Sequence, residues 1–201
     1  MTMLTDRFGR VHRDLRLSLT DRCSLRCRYC MPAQGLPWTP NEDLLTTGEL
    51  LQLVGIATEL GVREVRLTGG EPLLRPDAAE IVAGIVALPQ NPEVSLTTNG
   101  LKLAAVADDL VAAGLQRVNI SLDTLDRTTF KELTLRDRLP DVLAGVEAAR
   151  SAGLEPIKIN AVLIRGVNDH EAPALLRWAL ANGLRLRFIE QMPLDPQHSW
   201  D

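Results

Sequence analysis

The sequence predicts an α/β fold in which six parallel strands, each followed by helical sequence, curve into an incomplete barrel with a polar interior. Three observations carry that prediction. Strand-length and helix-length segments alternate along the chain, the pattern of a parallel sheet joined by right-handed crossovers. The strands alternate apolar and polar residues instead of running continuously apolar, so one face of the sheet is covered and the other is wet. The loops with paired glycines, Asn-Gly and Ser-Leu-Asp fall directly after strands, at the end of the sheet where ligands bind in such folds.

Residues 1–13 read as an irregular lead-in and 14–201 as the barrel domain. The first strand sets Leu15, Leu17 and Leu19 against Arg16, Ser18 and Thr20, and runs into a loop that holds every cysteine of the chain. Gln34 to Asp43, with Pro37 and Pro40, is an exposed connection. Thr46-x-x-Glu49 is a capping-box pattern that opens a helix to about Leu60, stopped by Gly61. The second strand is Glu64 to Thr68, and the helix after Pro76 and Asp77 reaches about Leu88. Val94 to Thr98 is the third strand, followed by a helix from Leu103 to about Ala113 that Gly114 ends. The fourth strand is Arg117 to Leu122; a short helix near Thr128 to Leu133 and a longer one from Leu139 to Ala152 follow it. The fifth strand, Ile157 to Leu163, leads to a helix from about His170 to Asn182 and to a sixth strand, Arg185 to Glu190.

The phase of the strands separates a flat, doubly covered sheet from a barrel. Val65 and Leu67 alternate with Arg66 and Thr68, and Val94 and Leu96 with Ser95 and Thr97. Val118, Ile120 and Leu122 alternate with Asn119, Ser121 and Asp123, and Ile157 and Ile159 with Lys158 and Asn160. The helices must cover the apolar face, which leaves the polar face lining a ligand or water. A closed eight-stranded barrel fills its centre with branched apolar layers. A hydrophilic lining asks for a wider, incomplete (β/α)6 form of that TIM-like architecture.

With 201 residues, 45% hydrophobic and 24% charged, the chain suffices for one domain with a sizeable core. A net charge of -4 argues against a general nucleic-acid or membrane-surface binder, and no apolar run is long enough to span a bilayer. With no signal-peptide pattern, the chain is expected in the cytoplasm, where an odd set of three cysteines stays reduced.

Those cysteines, Cys23, Cys27 and Cys30, are spaced Cys-x3-Cys-x2-Cys on one short loop. A structural zinc site asks for four ligands, and His12, His170 and His198 show no ligand spacing to the cysteines or to one another. An iron-sulfur cube is normally held by four thiolates, so three leave one iron open to bind something else.

The stretch RDLRLSLTDRC followed by RYCMP, with aromatic Tyr29 ahead of the last cysteine, resembles the cluster loop of radical S-adenosylmethionine (SAM) enzymes. Its extended form is similar to the GTP 3′,8-cyclase family of molybdenum-cofactor biosynthesis. The resemblance implies a radical SAM core, one 4Fe-4S cluster on Cys23, Cys27 and Cys30, and SAM chelated at the open iron. It implies release of a 5′-deoxyadenosyl radical and GTP as the substrate. It places Gly70 of Thr68-Gly69-Gly70-Glu71-Pro72 at the methionine amino group, and Tyr29, Ser121 and Met192 at the cofactor. Arg16, Arg66, Thr97 and Lys158 fall to the nucleotide; three cations inside a barrel also ask for an anion on elementary grounds, and a triphosphate supplies one.

Each role has a plainer counterpart. Asn99-Gly100 suits a turn, Ser121 or Asp123 a helix cap, Met192 ordinary core and Tyr29 packing of the loop. The cations could pair with Glu71, Asp123 or Glu190. Family proteins continue into a segment with three further cysteines that hold a second 4Fe-4S cluster. With its own cysteines committed, this chain has none for a second cluster and is expected to be a truncated, impaired form. A reductase or flavodoxin-type electron donor and a homodimer complete the expected partners. Another radical SAM enzyme, for instance a peptide-modifying one, and a non-catalytic cluster-binding scaffold stay open as alternatives.

Overall fold

Residues 3–191 are described by the computed structural model of the chain. The strands are β1 (Asp14–Ser18), β2 (Glu64–Thr68), β3 (Glu93–Thr98), β4 (Arg117–Ser121), β5 (Ile157–Leu163) and β6 (Arg185–Glu190). Between them lie α1 (Thr47–Glu59), α2 (Ala78–Val86), α3 (Leu103–Ala112), α4 (Arg127–Thr134), α5 (Leu139–Ser151) and α6 (Ala172–Ala181). Each strand pairs in parallel with its sequence neighbours, in the order β1-β2-β3-β4-β5-β6. The sheet is open, as an incomplete barrel requires, with β1 and β6 at its edges.

Sequence chemistry sets the element ends. The Thr46 hydroxyl accepts the Glu49 N–H at 3.3 Å while Glu49 accepts the Thr46 N–H at 2.8 Å, the reciprocal box that starts α1. Gly61, at φ +102°, ends it. The second, fifth and sixth strands have the bounds predicted from the sequence. The last helix starts later than His170: Asp169–Glu171 is a 3-10 turn, and Pro173 sits in the first turn of α6, where its missing N–H costs nothing. The lead-in is more ordered than its sequence suggests. Asp6 Oδ1 accepts the Phe8 and Arg10 N–H groups at 2.8 and 3.0 Å, Thr5 pairs antiparallel with Val11, and the Leu4 N–H donates to Leu60 O at 3.0 Å.

The alternation sorts the two faces as predicted. Val65, Leu67, Val94, Leu96, Val118, Ile120 and Ile159 are fully buried in one core with Ile81, Ile85, Leu103, Leu110, Val142 and Ala179 of the helices. Burying a side chain of this size contributes about 1.5–3 kcal/mol each. On the other face Arg16 is exposed and Arg66 and Lys158 are half-buried, but Ser95 and Asn119 are buried too. No helix among the described residues is long and apolar enough to cross a membrane.

One close approach fixes the loop after β3. A Cβ on Gly145 of α5 would stand closer than 3.0 Å to the carbonyl oxygen of Gly100, which itself turns at φ +81° directly after Asn99. Gly145→Ala is therefore expected to lower stability by about 1–3 kcal/mol, despite the better helix propensity of alanine. Urea unfolding of the two proteins measures it, and an unchanged midpoint would show that α5 can shift away at no cost.

Candidate cluster and nucleotide site

The cysteine loop leaves β1 at backbone distance from the loop after β2. The Leu19 N–H donates to Thr68 O at 2.9 Å, the Gly70 N–H to Thr20 O at 2.7 Å and the Glu71 N–H to Arg22 O at 2.7 Å. A Cβ on Gly69 or Gly70 would meet the Thr20, Asp21 or Arg22 carbonyls at less than 3.0 Å, and Gly69 sits at φ +145°. Glycine is required at both places by the cysteine loop itself. Among the described residues, the Gly69 and Gly70 carbonyls accept no hydrogen bond, so they are acceptors free for an ammonium group.

Glu71 locks this corner. Although only 1% exposed, its carboxylate accepts the Leu73 N–H at 3.0 Å, the Thr98 hydroxyl at 2.7 Å and the Asn99 N–H at 2.7 Å. Burial pushes its pKa up, and those donors pull it back. Asn99 in turn reaches the cysteine loop, its Nδ2 lying 3.0 Å from Ser24 Oγ and 3.8 Å from Cys23 Sγ. The far half of the loop rests on α4 and β4. The Arg26 and Arg28 N–H groups donate to Thr134 O and Leu133 O at 3.0 and 2.9 Å, and the Tyr29 hydroxyl donates to Asp123 Oδ2 at 2.7 Å. Burial pushes the Asp123 carboxyl up to about 6, with its hydrogen bonds from Tyr29 and from the Val162 N–H opposing the rise.

The three thiols share one electrostatic neighbourhood. Burial raises all three first; the charges of Asp123, Cys23 and Cys30 then raise Cys27, and Cys23 raises Cys30. Thiolates so disfavoured need a positive body between them. No three His, Cys, Asp or Glu side chains among the described residues converge tightly enough for a single metal ion. Three sulfurs on one loop fall short of the four ligands of a structural zinc site and would suit a cluster of several irons with one iron left open.

The polar face carries more cations than the sequence reading named. Arg16 of β1 and Arg66 of β2 are register partners, as are Lys158 of β5 and Arg185 of β6. Arg187 is level with Asn160 on the same face. Arg117 is level with Ser95 and is held by Glu64 and Glu93 at 2.6 Å each. The buried Nε of Arg66 and Oδ1 of Asn160 have no hydrogen-bond partner. Loss of solvent, then the charges of Arg117, Arg187, Arg185 and Arg66, pull the Lys158 pKa below its ordinary value. Arg16, Arg66 and Ser95 line a cavity of about 300 Å³. A larger one of about 570 Å³, beside Arg22, Thr46 and Leu74, includes an Arg75 already committed to Asp77 at 2.6 Å.

Of the predicted residues, Cys23, Cys27, Cys30, Tyr29 and Gly70 come together at the carboxyl end of the sheet, and Ser121 ends β4 there, level with Asn160. Thr97 accepts from Asn119 Nδ2 at 3.2 Å on the polar face. Met192 lies outside the described residues. Among the described residues, Arg16, Arg66 and Lys158 make no ion pair with Glu71, Asp123 or Glu190. Arg117, Arg185 and Arg187 went unnamed in the sequence reading, although the same alternation, carried to Arg117 and through the Arg-Leu-Arg of β6, points to them.

Fold and site together define an α/β protein whose open parallel sheet carries three free cysteines on the loop after β1, at its carboxyl edge. A profile described as Radical SAM superfamily matches residues 17–179, and the chain belongs to that superfamily. Among curated relatives, GTP 3′,8-cyclase of Streptomyces coelicolor is 59% identical over 199 residues, which take in 98% of this chain and 58% of the relative. GTP 3′,8-cyclase of Paenarthrobacter nicotinovorans is 55% identical over 98% of this chain and 56% of its own length. The chain thus spans little more than half of the relatives it matches. A crystal structure of Streptococcus suis SuiB bound to S-adenosylmethionine superposes on 92% of this chain and 42% of that one, with a TM-score of 0.74. At 20% identity that similarity establishes the fold alone.

Two outcomes test this geometry. Gly70→Ala forces the two loops apart and is expected to cost about 2–3 kcal/mol in urea unfolding, with less iron bound after anaerobic reconstitution. Lys158 binds its proton less firmly in the folded chain than in the unfolded one, so stability rises with pH between the lowered value and 10.5. Lys158→Met removes that rise, and unfolding midpoints measured across the alkaline range would show no difference if neither burial nor the neighbouring cations lowered it.

Proposed function

We propose that the chain is the SAM-binding and nucleotide-binding part of a GTP 3′,8-cyclase of molybdenum-cofactor biosynthesis, the enzyme that converts GTP to 3′,8-cyclo-7,8-dihydro-GTP. The observation that carries this reading is the crowd of under-paired cations on the wall of a sheet whose carboxyl end bears the three thiols. The names of the relatives point the same way. Cys23, Cys27 and Cys30 would hold one 4Fe-4S cluster, which when bound supplies the electron that cleaves SAM to a 5′-deoxyadenosyl radical.

The chain's own groups do the rest by holding. The free Gly69 and Gly70 carbonyls accept hydrogen bonds from the SAM ammonium, and Ser121 and Tyr29 border the cofactor. Arg16, Arg66 and Lys158, reinforced by Arg185 and Arg187, bind the triphosphate, and Thr97 with Asn119 faces the nucleoside. Fixing both ends of the nucleotide leaves its ribose no freedom to turn away from the cofactor. A reductase or flavodoxin-type donor supplies electrons near the exposed Cys30, and a reducing cytoplasm keeps the unpaired thiols available.

Anaerobic reconstitution followed by dithionite and SAM is expected to give 5′-deoxyadenosine. Calorimetric titration is expected to show GTP bound far more tightly than guanosine, with about a tenfold loss for Arg66→Ala. Iron-loaded protein that forms no 5′-deoxyadenosine, or that binds guanosine as well as GTP, would overturn the proposal.

A further inference from the structure

Asp123 does work that a turn or cap residue would not need to do. The cap of α4 is Asp126, whose carboxylate accepts the Thr129 N–H at 2.8 Å, so Asp123 is left for something else. Its carboxylate is 6% exposed and takes no ion pair among the described residues. One oxygen accepts the Val162 N–H of β5 at 2.8 Å, and the other accepts the Tyr29 hydroxyl at 2.7 Å. Its backbone carbonyl is itself fixed by Asn168, which is fully buried, donates to Asp123 O and Val162 O at 2.9 Å each, and accepts the Ile164 N–H at 2.7 Å. A carboxylate this firmly held is a fixed post.

Tyr29 stands between Cys27 and Cys30, and its bond to that post is the described side-chain link from this half of the cysteine loop to β4 and β5. The other half is tied to the end of β3 through Asn99. We propose that Asp123, acting through the Tyr29 hydroxyl, is a positioning residue that sets where the Cys27–Cys30 turn stands over the sheet, so that the third thiol meets the first two without the loop having to reorganise. The inference rests on the superfamily's cysteine loop holding a metal cluster and is independent of whether the substrate is GTP.

Tyr29 is the chain's single tyrosine, which makes the link directly observable. Protein labelled with 3-fluorotyrosine gives one ¹⁹F resonance, expected to shift in Asp123→Ala and to shift less in Asp123→Asn, which keeps an acceptor oxygen. In reconstituted protein, Tyr29→Phe and Asp123→Ala are each expected to release iron to a chelator about tenfold faster, the size typical of losing a group that orients a metal ligand. The double variant is expected to be no faster than either single one, because both remove the same bond. Tyr29→Phe keeps the ring and its packing, so the test survives if Asp123→Ala fails to fold. Unchanged iron release in Tyr29→Phe, additive effects in the double variant, or a ¹⁹F resonance indifferent to residue 123 would each overturn the proposal.

Discussion

Two loops that follow neighbouring strands approach until only backbone separates them, and most of the site depends on that contact. The Gly70 and Glu71 N–H groups donate to the Thr20 and Arg22 carbonyls as if the sheet continued past its last residues, and no side chain fits between the two segments. The consequence is that the cysteine loop is carried by β2 as well as by β1. Glu71 passes the same constraint to β3, since its buried carboxylate holds the turn that aims Asn99 back at Cys23 and Ser24. The thiol loop is thereby referenced to three strands before any side chain of the far half is considered. A protein that must hold an oxygen-labile metal body on a loop gains from such a frame, because little disorder is left to be lost on binding.

Much of this was legible in the sequence, because the features concerned are periodic or local. Alternation at period two marks β2 and β5 and shows which face is covered; the capping box at Thr46 and Glu49 marks the start of α1. The three cysteines and the paired glycines announce themselves by spacing. What spacing does not encode is which distant polar side chains meet. Tyr29 and Asp123 are 94 positions apart, and Glu71 and Asn99 are 28 apart, so neither pair leaves a local signature. The sequence assigned Glu71 and Asp123 to possible cation partners because a carboxylate in a polar barrel most simply pairs with a cation. Both instead satisfy backbone and hydroxyl donors, which is how a buried carboxylate avoids an orphaned charge.

The lead-in shows the same limit at shorter range. Asp6 staples a turn by accepting two backbone N–H groups, a device that leaves no hydrophobic period to read. The cations of the inner wall illustrate the reverse case. Arg117, Arg185 and Arg187 were available from strand phase, but their meaning emerges only when register sets them beside Lys158 and Arg66, where their mutual repulsion becomes a physical quantity.

The acidic residues at the opposite ends of the strands complete the picture. Asp14, Glu64 and Glu93 are level with one another across β1, β2 and β3, one step below the arginines, and Glu64 and Glu93 already neutralise Arg117. Travelling along β1 to β3, the inner wall therefore changes from an acidic end to the arginines and then to the hydroxyls of Ser18, Thr68 and Thr97, while Lys158, Arg185 and Arg187 carry positive charge further along β5 and β6. Such an uneven charge has a direction: an anion on this wall is repelled from the acidic end of β1 to β3 and drawn toward the cations further along the strands.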